Sequence, residues 1–307
     1  MNRIPVVMCV DVEPEERLIS SVPQESWCGF ETSVKFFSDQ RRRLEAVTGS
    51  PVHYSWFFRM DPQIAEVYGT AGWVAKRYFS IIQELKQAGD ALGLHVHPWR
   101  WDRKLSHWIA DFGDQEWVAQ CVRIGFESFY EELGERCRYF RFGDHWMNNA
   151  TLDLIDRLGA KYDLTIEPGQ KRGHVSEAFT GSFVDYTYVP QYPYRPSRSD
   201  FTKVGTLLRR RLWMIPLSAG ELSGIEDNSQ DYITLNLYFD SSTLCQIIDR
   251  LLSGSEKPYL ALVLRSDVFT CPEWYSNLRQ TLDYVLNHRS SRELVFQTPA
   301  EMMMRRK

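Results

Sequence analysis

The sequence predicts an α/β protein whose strands close, or nearly close, into a (β/α) barrel within one domain covering residues 1–307. Apolar runs of strand length alternate with amphipathic stretches of helical spacing, and this alternation is typical of parallel βαβ units. A chain of 307 residues is long for an average domain but ordinary for such a barrel. An open doubly wound sheet is the alternative. Because no Gly-x-Gly-x-x-Gly follows the first predicted strand, a dinucleotide site is not expected.

Each predicted element follows from the spacing of its apolar residues. Residues 4–10 form a short apolar run rich in valine, which is typical of a strand buried on both faces. Similar runs predict strands at 53–58, 92–96, 138–142, 162–166, 213–217, 232–238, 259–264 and 294–297. Apolar residues that recur every three or four positions predict helices at 74–85, 117–133, 149–158, 244–252 and 274–286. Gly89 and Gly159 follow two of these helices and are suitable stop residues.

Residues 167–212 interrupt the alternation. This stretch is rich in Gly, Pro, Ser and Arg and has no clear helical or strand period. We interpret it as an irregular excursion from the barrel rather than a linker between domains. Long ordered loops of this kind are usually functional.

Composition limits the partners and the compartment. The chain has 36 basic and 40 acidic residues and a net charge of −4, whereas nucleic-acid binders usually carry a basic excess. It has no apolar run long enough to cross a membrane, and its N-terminal run is too short for a secretory signal. Six scattered cysteines without a Cys-x-x-Cys pair are typical of free thiols. We therefore expect a cytoplasmic protein that acts on a small molecule, without a nucleic-acid or membrane partner; a homo-oligomer is left open.

Polar side chains suited to chemistry lie at the ends of three predicted strands. Asp11 and Glu13 end the first strand, His95 and His97 end the third, and Arg141 lies near the end of the fourth. Residues two apart on a strand point to the same side, so each pair shares one face. Because the carboxyl ends of parallel strands meet at one edge, we expect these residues to form one site.

Two neutral imidazoles and one carboxylate form a common catalytic zinc set that leaves a position open. The same set suits Fe²⁺, Mn²⁺ or Co²⁺. A second carboxylate can accept a proton, and Arg141 can keep it ionised through charge-assisted hydrogen bonds. Taken singly these residues have other roles: a lone strand-end histidine is more often structural, and the two acids can cap a helix.

Four stretches match an order of motifs known from one family. Residues 11–13 resemble an acidic first motif, residues 83–98 a helix, glycine turn and histidine motif, residues 141–163 a third motif with its helix, and residues 296–302 a last strand and helix. In these features the chain resembles the polysaccharide deacetylase family of carbohydrate esterases. The resemblance implies a distorted (β/α) barrel of about seven parallel strands that removes acyl groups from sugars with one divalent metal, most often Zn²⁺.

Carried over residue by residue, the resemblance assigns Asp11 as the base, Arg141 as the residue that holds it, and His95 and His97 as metal ligands. Two departures stand out. The family's adjacent pair of aspartates is split here by one residue, so Glu13 takes the place of the second as ligand, and the roles of Asp11 and Glu13 are open to exchange. The two histidines are two positions apart rather than four.

The family's late histidine, which protonates the leaving amine, has no match in residues 264–267. We expect His145, which follows the fourth strand, to replace it; His174 in the excursion is a weaker candidate. Arg265 and Asp267 stand at the unmatched position, and Arg265 is expected to bind substrate, with support of the base as an alternative for both.

The predicted function is the removal of acetyl or formyl from an amino sugar that is nucleotide-linked or a precursor of a surface polysaccharide. Trp99 and Trp146 are expected to stack on the sugar, with core packing as their other role. Arg195, with Arg198 and residues 209–211, is expected to meet a diphosphate unless the loop is simply solvated. Two alternatives remain: a cyclic-amide or ureide hydrolase on the same scaffold, and a carbohydrate-binding protein without catalysis.

Overall fold

The computed structural model describes residues 3–16, 27–171, 179–221, 232–254 and 258–305. Its strands are Ile4–Val12 (β1), Ser55–Arg59 (β2), Ala91–Val96 (β3), Trp99–Asp102 (β4), His107–Asp111 (β5), Tyr139–Phe142 (β6), Tyr162–Asp163 (β7), Phe179–Thr180 (β8), Trp213–Met214 (β9), Ala219–Glu221 (β10), Tyr232–Thr234 (β11), Leu260–Arg265 (β12) and Leu294–Phe296 (β13). Its α-helices are Cys28–Thr48 (α1), Pro62–Tyr68 (α2), Trp73–Arg77 (α3), Phe79–Gln87 (α4), Gln115–Leu133 (α5), Asn149–Leu158 (α6), Ser241–Gly254 (α7), Pro272–Asn287 (α8) and Pro299–Arg305 (α9). Short 3₁₀ turns occupy Gly143–His145, Ser266–Thr270 and Ser291–Glu293.

The main sheet is a curled, parallel half-barrel. Seven strands follow one another in the order β12-β1-β2-β3-β6-β7-β9, and β13 pairs with the first residues of β1. Every pairing in this sheet is parallel. Helices connect the successive strands except β7 and β9, which are joined by the irregular excursion. The predicted distorted (β/α) barrel of about seven parallel strands is therefore confirmed.

Irregular backbone bridges the gap between the last strand of the path, β9, and the first, β12. The Ser218 amide donates to the Ala261 carbonyl at 2.9 Å, and the Leu237 amide donates to the Val263 carbonyl at 2.8 Å. The prediction of a barrel strand at 232–238 is wrong in detail, because β11 covers only its first residues and pairs antiparallel with β10. Hydrogen bonds thus continue around the curl without a regular eighth strand at this point.

The side chains of β1 show how the barrel is filled. Val7 and Cys9 belong to a small interior cluster, whereas Val6, Met8 and Val10 belong to the large outer core that packs under the helices. The interior cluster also holds Phe57 of β2 and two methionines of α9. Since the cluster is apolar and buried, the polar residues at the carboxyl ends of the strands lie above a filled core.

Three local differences from the sequence-based expectation have simple causes. The helix predicted at 74–85 is two helices, α3 and α4, separated at Tyr78, whose φ is −111°. Helix α1 was not predicted, because its buried apolar side chains, Phe30, Phe37 and Leu44, recur only every seven residues. The antiparallel hairpin β4–β5 was not predicted, because it begins at Trp99, directly after the strand that carries the histidine pair.

The described part of the excursion at 167–212 is mostly irregular and contacts the barrel at several points. Its strand β8 joins β5, and the Tyr186 hydroxyl donates to the carbonyl of His145 at 2.8 Å. The buried Arg210 side chain donates to Asp153 of α6 at 2.8 Å. Part of the excursion therefore lies beside the carboxyl ends of the strands.

None of the described helices is long and apolar enough to cross a membrane. All six cysteines lie in the described residues and are free thiols, as the sequence predicts. Burial raises the pKa of Cys9, Cys121 and Cys137, to about 12 for Cys137, so these thiols stay protonated.

Asp163 gives a prediction about stability and pH. It is buried on β7 and accepts bonds from the Thr165 amide (3.1 Å) and hydroxyl (2.9 Å), yet burial raises its pKa to about 7. The folded state thus binds a proton that the unfolded state has lost, so stability falls as the pH rises from about 4 to about 7. Replacing Asp163 with Asn removes this proton uptake.

Between pH 5 and pH 8 we expect the unfolding free energy of the wild type to fall by about 3 kcal/mol relative to that of Asp163→Asn. Urea unfolding of both proteins at several pH values measures this difference. A difference that stays constant across that range would contradict the proposed protonation of Asp163.

Candidate metal centre

Three side chains from the carboxyl ends of β1 and β3, the two strands that flank β2, converge on one point. The Nε2 atoms of His95 and His97 lie 2.9 Å apart, and the Nε2 atom of His97 lies 3.5 Å from Oε2 of Glu13. One potential ligand atom from each residue falls within 4.8 Å of the others, and all three residues are buried. The residues that the sequence singled out as a metal set are therefore neighbours in space.

Hydrogen bonds on the far side of each ring fix the tautomers. The Nδ1 atom of His95 faces the Arg141 carbonyl at 3.1 Å, and the Nδ1 atom of His97 faces Oδ2 of Asp144 at 3.0 Å. Both partners are acceptors, so both Nδ1 atoms carry hydrogen and both Nε2 atoms present lone pairs. Three electron-pair donors thus point at one another, an arrangement that a cation would relieve and that suits a divalent metal.

The charge states of the three residues also suit a metal. Burial lowers the pKa of His95 and, more strongly, that of His97, so both rings are neutral ligands. Burial alone would raise the pKa of Glu13, but the Arg265 guanidinium holds it well below its usual range. Glu13 is therefore an ionised carboxylate.

Two arginines surround Glu13. The Nε atom of Arg265 lies 2.8 Å from Oε1 of Glu13, and its NH2 atom lies 2.8 Å from Oδ2 of Asp267. Arg59 at the end of β2 approaches Oε2 of Glu13 at 3.5 Å and pairs with Asp61 at 2.8 Å. The Arg265 guanidinium thus contacts two carboxylates and positions Glu13, while its expected contact with substrate stays a prediction.

Asp11 lies beside this cluster and is held by Arg141. The Nε atom of Arg141 donates to both carboxylate oxygens, at 3.0 and 2.9 Å, and its NH1 atom donates to the Leu164 carbonyl at 2.7 Å. Oδ1 of Asp11 lies 4.0 Å from Nδ1 of His95. The expected pairing of a carboxylate with Arg141 thus exists next to the ligand cluster.

His145 occupies the turn after β6 with a backbone φ of +55°, and Asp144 before it has the same φ. This left-handed conformation is uncommon for residues other than glycine and is often found at functional sites. The side chain of His145 is 44% exposed, and its Nδ1 atom lies 2.7 Å from Oε1 of Glu167. The second candidate acid, His174, lies outside the described residues.

Glu167 is a site residue that the sequence reasoning missed. It is buried, it accepts a hydrogen bond from the Thr234 hydroxyl at 2.9 Å, and it lies 3.9 Å from Arg141. Burial alone would raise its pKa, but His145 and Arg141 hold it low. Its position just after β7 could have identified it, because the other predicted site residues also lie at the carboxyl ends of strands.

The two tryptophans expected to stack on sugar are mostly core residues. Trp146 is buried, stacks on Phe112, and donates its indole N–H to the Ser182 carbonyl at 3.1 Å, which leaves no open ring face. Trp99 is also buried, with its ring centroid 6.2 Å from that of His97. The stacking role is therefore corrected to packing: Trp99 supports His97, and Trp146 joins the core.

Arg195 does not lie at this site. Its guanidinium stacks on Trp213, with 4.9 Å between its Cζ atom and the ring centroid. Trp213 is the first residue of β9 and pairs with Tyr162, the first of β7, so Arg195 lies towards the amino ends of the strands. The expected role of Arg195 in substrate binding is corrected by this position, and the buried, paired Arg210 is equally unsuited to a diphosphate.

Gln63 and Ser266 complete the surroundings of the cluster. Gln63 accepts a hydrogen bond from Arg59, and the Ser266 hydroxyl exchanges bonds with the backbone of Glu13, at 3.2 and 3.1 Å. These contacts fix the carboxylate side of the cluster from β2 and from the turn after β12.

Comparison with known proteins agrees with this architecture. No protein-family model and no curated protein matches the sequence. Among solved structures, a protein from Parabacteroides distasonis assigned as a glycoside hydrolase/deacetylase has a TM-score of 0.60 at 13% identity, covering 98% of this chain and 70% of that one. A protein from Mycobacterium smegmatis assigned as a polysaccharide deacetylase has a TM-score of 0.52 at 14% identity, covering 99% and 90%.

An allantoinase structure is similar to the same degree, with a TM-score of 0.53 at 14% identity, covering 99% of this chain and 90% of that one. Identities this low establish the fold and leave the reaction open. Its curled parallel sheet and its neighbours among solved structures show that the chain has the polysaccharide deacetylase fold.

Proposed function

We propose that the protein is a metal-dependent hydrolase that removes an N-acyl group, acetyl or formyl, from an amino sugar. The observation that carries this proposal is the convergence of two fixed Nε2 lone pairs and one ionised carboxylate beside a second carboxylate that is held by an arginine. That donor set fits a divalent cation, and Zn²⁺ suits two imidazoles and one carboxylate best.

Glu13, His95 and His97 would hold the cation. When bound, it would polarise the acyl carbonyl and lower the pKa of a water molecule. Asp11 accepts the proton of the attacking water, and Arg141 keeps that carboxylate ionised and oriented. Asp11 and Glu13 divide the roles of base and ligand in this way because Asp11 contacts Arg141 and Glu13 lies 3.5 Å from Nε2 of His97.

Release of the amine needs a proton donor, and we assign this role to His145. Glu167 lies 2.7 Å from Nδ1 of His145, so it orients the ring and leaves Nε2 for the substrate. The 44% exposure of this side chain keeps it accessible, unlike the buried ligand histidines. Glu167 thereby acts as a positioning residue for the acid.

The substrate that we propose is a small, soluble sugar, nucleotide-linked or a precursor of a surface polysaccharide, in the cytoplasm. The resemblance in motifs and the shared fold support a sugar substrate.

The test measures metal content and acyl release together. The purified protein is incubated with a panel of N-acetyl and N-formyl amino sugars, free and nucleotide-linked, and products are followed by mass spectrometry before and after chelation. We expect about one divalent ion per chain, loss of turnover on chelation, recovery with Zn²⁺, and neither metal nor turnover in His95→Ala. Undiminished turnover in metal-free protein would exclude the proposal, and sugar binding without turnover would favour the binding protein.

A second candidate is the hydrolysis of a cyclic amide or ureide, favoured by the similarity to an allantoinase. The same residues would serve, because a ring amide also needs a polarised carbonyl and a base. Adding allantoin and hydantoins to the panel separates the two, since turnover of these rings alone would replace the sugar proposal.

A further inference from the structure

The excursion carries the most exposed large apolar side chains in the part of the chain that the structure describes. Leu207 is 96% exposed, Tyr188 94% and Leu208 74%, and Val204 nearby is also exposed. We call residues 203–209 the leucine loop. Exposed apolar side chains in such a group usually mark an interaction surface, because single exposed residues are normal whereas clusters are not.

The leucine loop is flanked by positive charge. Residues 195–211 contain six basic residues and one acid, in a chain whose net charge is −4. Lys203 pairs with that acid, Asp200, at 3.0 Å, and Arg210 is buried against α6. The remaining exposed cations beside the leucines are Arg198, Arg209 and Arg211.

Hydrogen bonds hold the loop in shape. The Gly205 amide donates to the Arg195 carbonyl at 2.8 Å, and the Arg198 amide donates to the Leu208 carbonyl at 3.1 Å. Gly205 is needed in this tight fold, because a Cβ atom there would lie 2.6 Å from that of Arg209. With Arg210 anchored to α6, the loop presents its leucines from a fixed base, so their exposure is built into the fold.

We propose that the leucine loop docks on an anionic phospholipid surface. Leu207 and Leu208 would enter the boundary between head groups and acyl chains, while Arg198, Arg209 and Arg211 meet the phosphates. Charge favours this partner over a second copy of the chain, since two such loops would bring like charges together. The proposal replaces the expectation that the protein has no membrane partner, and it does not depend on the proposed reaction.

Co-sedimentation with vesicles tests the docking directly. The full chain is mixed with vesicles of phosphatidylglycerol or of phosphatidylcholine at low salt, and the bound fraction is measured as lipid is added. We expect binding to the anionic vesicles only, at least tenfold weaker for L207S/L208S and for R209S/R211S, and weakened by salt because screening acts on the arginine contacts. No change is expected in the metal content or the turnover of soluble substrate.

Tyr130→Ser is the matched control. Tyr130 is 58% exposed on α5, but its neighbours along the chain include Glu127, Glu131 and Glu132, so it should not meet an anionic surface. Equal binding by wild type and L207S/L208S, or no binding to phosphatidylglycerol at low salt, would overturn the proposal. A dimer in light scattering that L207S/L208S converts to monomer, together with absent vesicle binding, would assign the loop to contact between copies instead.

Discussion

Asp11→Asn is expected to lower kcat by about 10²–10⁴-fold while leaving the metal content of the protein unchanged. The substitution keeps the size of the side chain but removes the carboxylate that accepts the proton and that pairs with Arg141 at 2.9 Å. Glu13, His95 and His97 are not altered, so the cation should remain bound. Turnover of the best substrate from the acyl-release panel and metal analysis of the same sample measure the two effects separately.

Asp163→Asn is the control for this experiment, because it makes the same chemical change at another buried aspartate, one that lies outside the ligand cluster. We expect it to keep kcat within a few-fold of the wild type. If Asp11→Asn instead loses its metal and Glu13→Gln keeps metal but loses turnover, the two acids have exchanged roles. A kcat close to that of the wild type in Asp11→Asn with intact metal would exclude Asp11 as the base.

Gly143→Ala is expected to weaken metal binding about 10–100-fold without touching a ligand. A Cβ atom at Gly143 would lie 2.2 Å from Cε1 and 2.4 Å from Nε2 of His97, so the imidazole would have to move. Its bond to Asp144 would be lost with it. Titration of Zn²⁺ into metal-free protein, followed by calorimetry, gives the dissociation constant.

Gly254→Ala at the end of α7 is the matched control, because a Cβ atom there meets no heavy atom within 4 Å. Its affinity for Zn²⁺ should equal that of the wild type. Unchanged affinity in Gly143→Ala would show that the position of the His97 ring does not set metal binding. Thermal unfolding of both variants distinguishes a local effect from a loss of fold.

The strand ends were the predictable part of the site, for a physical reason. Parallel strands buried on both faces are continuous apolar runs, so a polar pair such as His95 and His97 at the end of a run is conspicuous. Alternation along a strand then places Asp11 and Glu13 on one face, and the shared edge of parallel strands brought Arg141 into the same group. The helix at Asn149–Leu158 was predicted to the residue, because its apolar spacing is regular and Gly159 ends it.

The features of the site that could not be predicted from the sequence depend on contacts between segments far apart along the chain. The pairing of Glu167 with His145 joins the excursion to the turn after β6, and no local period records it. The sequence does not indicate which acid Arg265 pairs with. In the structure, the register of β12 against β1 places Arg265 opposite Asp11 and beside Glu13. Trp146 and Arg195 were misjudged because closeness along the chain does not reveal which side of a layer a side chain faces.

Arg141 makes three contacts that hold the site together. Its backbone carbonyl sets the tautomer of His95, its Nε atom holds Asp11, and its NH2 atom lies 3.9 Å from Glu167. All three depend on the register of β6 against β3, in which Arg141 pairs with His95. A shift of this register by one residue would turn the guanidinium to the outer face of the sheet and break all three contacts. Substitutions that change substrate specificity are therefore better tolerated in the surrounding loops than in β6.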